Sequence, residues 1–388
     1  MSKIRIGIDA SNLRRGGGRT HLIEFLLAAD LVRDQIDSII VWGSRQTLDL
    51  LFDAPWLEKV ALPILEKGLL KRTLWQRFSL GKLALMTGCN VLFVPGGNFT
   101  TRFRPIVTMS RNMLPFEKRE LSRYGFSFLT LKLLILRYTQ TRSFQAANGV
   151  IFLTDYAKQI VLSVTGQLPG ETKVIPHGLN SRFLIPVNSL SSRAMPDKSL
   201  PIRLIYVSII DIYKHQWHVV KGVSMARASL GLDLQLDLIG PYYAPALQKL
   251  HEAIAKYDPN CEWVNYHGAR DYQELDPLYG QAHIGIFASS CENMPNILLE
   301  MMGAGLPILS SDRGPMPEIL GNSGLYFNPE KPEELNKVII ELLSSKRMMQ
   351  HFSKEVYNRA MEFSWTRSVE STFKFITQVT KNYSKRNH

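Results

Sequence analysis

The stretch IGIFASSCENMPNILLEMMGAGLPILSSD, residues 284–312, reads as strand, loop, helix, turn and strand in one continuous segment. Ile284 to Phe287 is an apolar run of the length of a buried strand. Pro295 suits the first turn of a helix running to Met302, because a helix's first amides have no partner to lose. Gly303 and Gly305 end that helix, and Pro307 to Leu309 supplies the next strand. Strand, covering helix and second strand in about thirty residues form a crossover unit, which requires a parallel sheet.

The same alternation extends outward. Ile4 to Ile8, Ser38 to Val41, Val91 to Val94, Ile106 to Met109 and Val150 to Leu153 are strand candidates in the first half. Arg203 to Val207 and Gln235 to Ile239 precede the opening stretch in the second. Between the halves, PVNSLSSRAMPDKSLP, residues 186–201, has loop composition. A chain of 388 residues exceeds one ordinary core and fits two domains. The expectation is an α/β protein of two doubly wound domains facing a central cleft, residues 1–185 and 201–388, joined by a linker at 186–200. The tail from Pro332 to Tyr383 reads as helices, the last (about 365–383) starting at Trp365 after the N-cap Ser364 and crossing back to the first domain.

Composition narrows the function classes. No stretch approaches the roughly 18 uncharged apolar residues of a spanning helix. Lys3 and Arg5 inside an apolar run, followed by Asp9, lack the order of a signal peptide. Cys89, Cys261 and Cys291 show neither disulfide nor metal spacing, which suits a reducing cytoplasm. Residues 1–185 carry 25 Lys and Arg against 13 Asp and Glu, whereas residues 186–388 carry 21 of each. The net charge of +12 therefore belongs to the first half and points to a polyanion or an anionic membrane served by that half, or to a solvated basic face.

In open parallel sheets, ligands bind beyond the carboxyl ends of the strands. After Ile8, DASNLRRGGGRTHL lets the backbone at Gly16, Gly17 and Gly18 approach a ligand, with a helix starting at Arg19 to His21; the plain alternative is a mobile turn. It is not a G-x-G-x-x-G fingerprint, and the second strand ends without the acid that holds a ribose, so a nicotinamide cofactor is disfavoured. After Val207, SIIDIYKHQWHVV brings Lys214 to a helix start, where a cation opposes the macrodipole and so suggests a task such as neutralising a leaving diphosphate; a surface lysine is the alternative. In the third loop the amides of Asn296 and Ile297 form a free helix N-terminus fit for phosphate. Glu300, one turn inside, is within reach of a ribose beside that phosphate, and Glu292 stays on the loop nearer a sugar. Arg313, Gly314 and Glu318 return to the same edge, although two acids at this spacing also suit solvated loop positions.

Glu292 and Glu300, eight positions apart, followed by Gly305-Leu306-Pro307 and Pro317-Glu318, resemble the signature of the group 1 (family 4-like) retaining glycosyltransferases. These have two Rossmann-like domains in the arrangement called GT-B. Gly16 to Gly18, VIPHGLNSRF from Val174 to Phe183, and Lys214 follow in the same order, and the likeness covers nearly the whole chain. The resemblance implies a nucleoside-diphosphate sugar held mainly by the second domain and an acceptor held mainly by the first. Glu300 would bond the ribose and Glu292 would orient the sugar. Lys214 with the Asn296 and Ile297 amides would stabilise the departing diphosphate, and Gly17, Gly18, Ser208 and Met294 would complete the donor contacts.

Two positions depart from the family pattern. Ser208 and Ile209 stand where a Gly-Arg pair is usual, which leaves Arg313 or Arg19 as candidates for a second cation. Asn112, within TMSRNMLPFEK, stands near a usual His and is expected to hydrogen-bond sugar or acceptor hydroxyls, since Asn is no base at neutral pH. His177, in the PHG segment, is expected to be structural.

No Asp-x-Asp pair occurs, so the expected activity is metal-independent and needs no cofactor. The expected reaction moves a hexose to a saccharide or polyprenyl-diphosphate-linked acceptor in surface polysaccharide or O-antigen synthesis. The enzyme would sit in the cytoplasm, peripheral on the membrane through residues 118–142, unless that segment is an ordinary core helix with basic ends. No nucleic-acid signature accompanies the basic charge. A sugar-nucleotide epimerase of the same fold and a non-catalytic partner subunit remain the alternatives.

Overall fold

The computed structural model describes residues 3–14, 16–186 and 200–387. The described parts of residues 1–116, 126–178 and 364–388 form one compact unit, and residues 117–125 with 179–363 form a second. The linker expected at 186–200 lies outside the described residues, apart from its ends.

The first unit contains β1 (Ile4–Asp9), β2 (Ile36–Gly43), β3 (Leu57–Ala61), β4 (Val91–Val94), β5 (Ile106–Met109), β6 (Gly149–Phe152) and β7 (Glu171–Val174). They pair in the order β3-β2-β1-β4-β5-β6-β7, all parallel. The second contains β8 (Ile202–Val207), β9 (Leu234–Ile239), β10 (Val264–Tyr266), β11 (Ile284–Phe287), β12 (Ile308–Ser311) and β13 (Leu325–Phe327). Their order is β10-β9-β8-β11-β12-β13, again parallel. Each chain path starts at the sheet centre, builds to one side and returns to build the other, so the strand order reverses between β1 and β4 and between β8 and β11. Such switch points open a crevice at the carboxyl edge.

The central strands are apolar because helices cover both faces. Every residue of β4, β5, β6, β11 and β12 is buried. Backbone also packs closely at this level: Gly240, at φ 147°, lies so near Ser208 that a Cβ would sit 2.0 Å from its carbonyl oxygen.

The units differ from the division drawn along the sequence, because long-range packing decides membership. Residues 117–125 leave the first unit to pack in the second. There the Tyr124 hydroxyl donates to Asp211 (2.8 Å), Arg119 and Arg123 pair with Glu330, and the Ser290 hydroxyl donates to Glu120 (2.6 Å). Residues 179–185 likewise belong to the second unit, where Phe183 packs edge-on against Tyr272 and Tyr279. The terminal helix Trp365–Asn387 belongs to the first, its Trp365 against His21 and its Phe373 against Phe25.

Candidate active site

At the β8/β11 switch of the second unit, the loop after β8 forms a short 3-10 turn, Ile212–Lys214, and His215 then takes a left-handed conformation (φ 55°) before the helix Gln216–Leu230. This turn leaves Lys214 nearly buried, its ammonium paired with a carboxylate oxygen of Glu292 from the loop after β11. The Lys214 Nζ also stands 5.2 Å from the ring centres of both Tyr213 and Phe287. The Tyr206 hydroxyl donates to the Lys214 carbonyl (2.9 Å) and fixes the turn. A cation held in so apolar a surrounding exerts a stronger field than in water.

The sequence assigned Lys214 and Glu292 separate tasks; the structure makes them one ion pair. Ser208 receives the Gln216 amide on its hydroxyl (2.8 Å), and the same amide reaches the Ile209 carbonyl (2.9 Å). Gln216 thus organises the two positions that depart from the family pattern. His215, held against Ser290 (2.9 Å), has its pKa pulled down to about 3 by burial and then by neighbouring cations, chiefly Arg123.

Beyond Glu292 the helix runs Asn296–Gly303, with Pro295 as the residue before it. Met294 is buried, and the buried Asn296 Oδ1 has no hydrogen-bond partner among the described residues. Glu300 is buried one turn further in. Its two carboxylate oxygens accept from Tyr272 (3.1 Å) and Tyr279 (3.2 Å). Burial raises its pKa to about 7, against the opposing pull of those hydroxyls and of Arg182. Arg182 lies over the Tyr272 ring at 4.2 Å and the Phe183 ring at 4.6 Å. Arg313 pairs with its neighbour Asp312 (3.1 Å).

In the first unit, the helix expected from Arg19 begins two residues earlier, as Gly17–Ala29, because Gly16 takes φ 63° and turns the chain into it. Arg19 lies in its first turn. Arg111, just after β5, donates to the carbonyls of Gly17 (2.7 Å) and Gly18 (3.4 Å), and burial lowers its pKa to about 10. Asn112 is exposed and its Oδ1 accepts from the Leu114 amide (3.1 Å), a local turn bond that leaves its NH₂ as the group for a ligand. Asp9, buried at the end of β1, accepts from the Ser11 amide (3.0 Å) and from Gln76. His177 meets His21, Nδ1 to Nδ1, at 3.0 Å, and burial holds both well below the ordinary imidazole pKa.

The structure therefore brings Lys214, Ser208, Glu292, Met294, Asn296, Ile297, Glu300 and Arg313 together in the second unit, and places Gly17, Gly18, Arg19 and Asn112 in the first. Sequence reasoning missed Tyr272, Tyr279, Gln216 and Arg111. Both tyrosines lie more than twenty positions from Glu300 and carry no local signal; Arg111 stands beside Asn112, but its partners Gly18 and Gly17 lie 93 and 94 positions away.

Residues 193–359 match the family described as glycosyl transferases group 1. The serotype-specific mannosyltransferase WbdA of Escherichia coli is 21% identical over 238 residues, 61% of this chain and 28% of that protein. The chain spans little more than a quarter of the length of the curated relatives of this kind that it matches. A sucrose-phosphate synthase from Thermosynechococcus elongatus has a TM-score of 0.74 at 15% identity, covering 98% of this chain and 100% of that one. WaaG, a glycosyltransferase involved in lipopolysaccharide biosynthesis, has a TM-score of 0.68 at 15% identity, covering 96% and 99%. These two structures speak for the fold alone. The group 1 glycosyltransferase match thus falls on the second half of the chain, and the chain has the GT-B fold.

Proposed function

We propose that this protein transfers a hexose, with mannose the first candidate, from a nucleoside-diphosphate sugar to a saccharide or polyprenyl-diphosphate-linked saccharide, with retention and without a metal ion. The observation that carries the reading is one carboxyl edge holding Lys214 paired to Glu292, a free helix N-terminus at Asn296 and Ile297, and the buried carboxylate Glu300. In this reading Glu300 accepts from a ribose hydroxyl and the Asn296 and Ile297 amides receive the diphosphate. As the bond from the sugar's C1 to the diphosphate oxygen breaks, Lys214 meets the charge left on that oxygen.

Glu292 holds Lys214 in place before the donor arrives and orients the sugar afterwards. A new bond forms from C1 to the acceptor oxygen on the face the diphosphate leaves, and the acceptor proton passes to the departing phosphate. No cofactor takes part. Among the described residues, no three of His, Cys, Asp and Glu converge as metal ligands would. Mannose and surface polysaccharide synthesis are suggested by the E. coli relatives, a serotype-specific mannosyltransferase and an O-antigen chain mannosyltransferase. A polyprenyl-linked acceptor would keep the enzyme at the cytoplasmic membrane face. No helix among the described residues is long and apolar enough to cross a membrane.

The test is a thermal-shift screen of GDP-mannose, UDP-glucose and dTDP-glucose, followed by transfer to a mannosyl acceptor with and without EDTA. A donor at 100 times its dissociation constant stabilises by about 2.7 kcal/mol. The reading expects one such shift, an extended product of retained configuration by proton NMR, and no loss with EDTA. It fails if no donor shifts the melting temperature and no product forms.

A further inference from the structure

The sequence offers residues 118–142 as a membrane contact or an ordinary core helix with basic ends, and the structure divides that segment. Lys118–Ser122 packs within the second unit, where Arg119 and Arg123 are spent on Glu330, so their charges are not free for lipid. A stronger surface lies elsewhere in the first unit. One continuous helical run comprises Leu69–Trp75, a π-turn at Gln76–Leu80, and Gly81–Met86. Its inner face buries Trp75, Gln76, Leu80 and Ala84. Its outer face exposes Leu70 (82%), Leu74 (56%), Phe78 (65%), Leu85 (70%) and Met86 (83%).

Leu70, Leu74 and Phe78 follow at four-residue steps, the spacing of one helix face. So large an apolar set on a soluble surface marks an interaction site. Lys67, Lys71 and Lys82 flank it, exposed and in no ion pair among the described residues. No Asp or Glu occurs between Glu66 and Glu117. Apolar side chains interleaved with lysines and no acid complement an anionic, apolar surface, which is what a bilayer with acidic headgroups offers.

We propose that the outer face of the helix at 69–86 docks on an anionic lipid bilayer. The geometry also gives the docking a use. From the inner face of the same helix, Arg72 donates to the Ser11 carbonyl (2.7 Å) and Asn12 Oδ1 (2.9 Å), and Gln76 donates to Asp9. The helix that would touch lipid therefore holds the loop at the carboxyl end of β1. This rests on the reading that the acceptor is lipid-linked, and it assigns the element that brings the protein to that lipid. The Arg77 guanidinium of the same run donates to the Thr100 carbonyl (3.1 Å), and the neighbouring Phe99 amide donates to Ser143 (3.1 Å) of the helix Phe128–Ala146, which exposes Phe128 and Ile135 and is the auxiliary contact.

The test is flotation of the full chain with vesicles of phosphatidylcholine alone and of phosphatidylcholine with phosphatidylglycerol. The intact chain is expected to float only with the anionic vesicles, and less so as salt rises. Leu70→Asp with Phe78→Asp should lower binding at least about tenfold, and Lys71→Glu with Lys82→Glu should remove most of its salt dependence. Both variants should keep the melting temperature and transfer to a water-soluble acceptor, since they alter exposed positions.

The proposal is overturned if the intact chain floats with neither vesicle, or if Phe128→Asp with Ile135→Asp abolishes binding while the Leu70/Phe78 variant retains it. It is equally overturned if the face proves to join two copies, seen as a dimer that the Leu70/Phe78 variant breaks without any lipid binding. Transfer to the soluble acceptor in any of these cases leaves the reaction itself standing, so the two readings fail separately.

Discussion

The carboxyl edges of the two sheets are built by opposite means. In the second unit the edge is assembled from two segments, each of which is legible in its own short stretch of sequence even though 78 positions separate Lys214 from Glu292: Ser208 to Gln216 after β8, and Ala288 to Glu300 after β11. Its charges are paired within that edge, Lys214 with Glu292. In the first unit the loop after β1 is held by residues far along the chain, Arg72 and Gln76 on one side and Arg111 on the other. The second edge is therefore a motif and the first a tertiary construction. A motif survives as a readable pattern because its parts must keep their spacing. A loop held from a distance can be held by many different residues and leaves no fixed pattern.

Substitutions can break this comparison, and the largest effect is expected at Lys214. On the proposed role of Lys214 at the leaving group, Lys214→Ala removes that cation and strands Glu292, so kcat should fall by about 10² to 10³, with single-turnover measurements placing the loss in the chemical step. A loss below about fivefold would detach Lys214 from the leaving diphosphate.

Next comes Glu300. Its folded pKa of about 7 lies above its ordinary 4.5, so folding favours its protonated form. The stability it contributes is fully present below the unfolded value, declines as pH rises from 4.5 to about 7, and is gone above that. Glu300→Gln should remove about 3 kcal/mol of the difference in unfolding free energy between acidic and neutral solution, read by urea titration on either side of the window. The same variant should weaken donor binding. An unchanged pH profile would mean that the carboxylate is not desolvated as described.

A smaller effect is expected in the first unit. Arg111→Ala frees the Gly17 and Gly18 carbonyls and should cost about 2 kcal/mol in chemical denaturation while raising the donor KM more than the acceptor KM. If acceptor KM alone rises, the glycine loop serves the acceptor. Smallest is Asn112→Ala, about 1 kcal/mol, seen as a change of less than about tenfold in acceptor kcat/KM.

The same contrast governs how much was legible beforehand. Nine strands were read from apolar runs, and the four missed were β3, β7, β10 and β13, the outer strand on each side of both sheets. Their sequences, LEKVA, ETKV, VNY and LYF, are short and only partly buried. A strand with one neighbour need not be apolar throughout, so it lacks the run that marks a central strand. At the site, Glu292, Glu300, Lys214 and the Asn296 helix start were legible because a loop and a helix terminus fix them locally. The phenols of Tyr272 and Tyr279 on Glu300 were not, since a hydrogen bond between residues over twenty positions apart has no period.

The sequence by itself determined the two parallel sheets, the crossover unit at 284–312 and the polar residues at the carboxyl edge of the second sheet. These follow from local rules: apolar runs, helix starts and stops, and the spacing of two glutamates around a proline. Only the tertiary structure decided that Lys214 and Glu292 are a single ion pair, that residues 117–125 belong with the second unit and the terminal helix with the first, and that Leu70, Leu74 and Phe78 face outward. Those outcomes depend on which surfaces bury each other, and burial is a property of the packed chain that no local stretch of sequence contains.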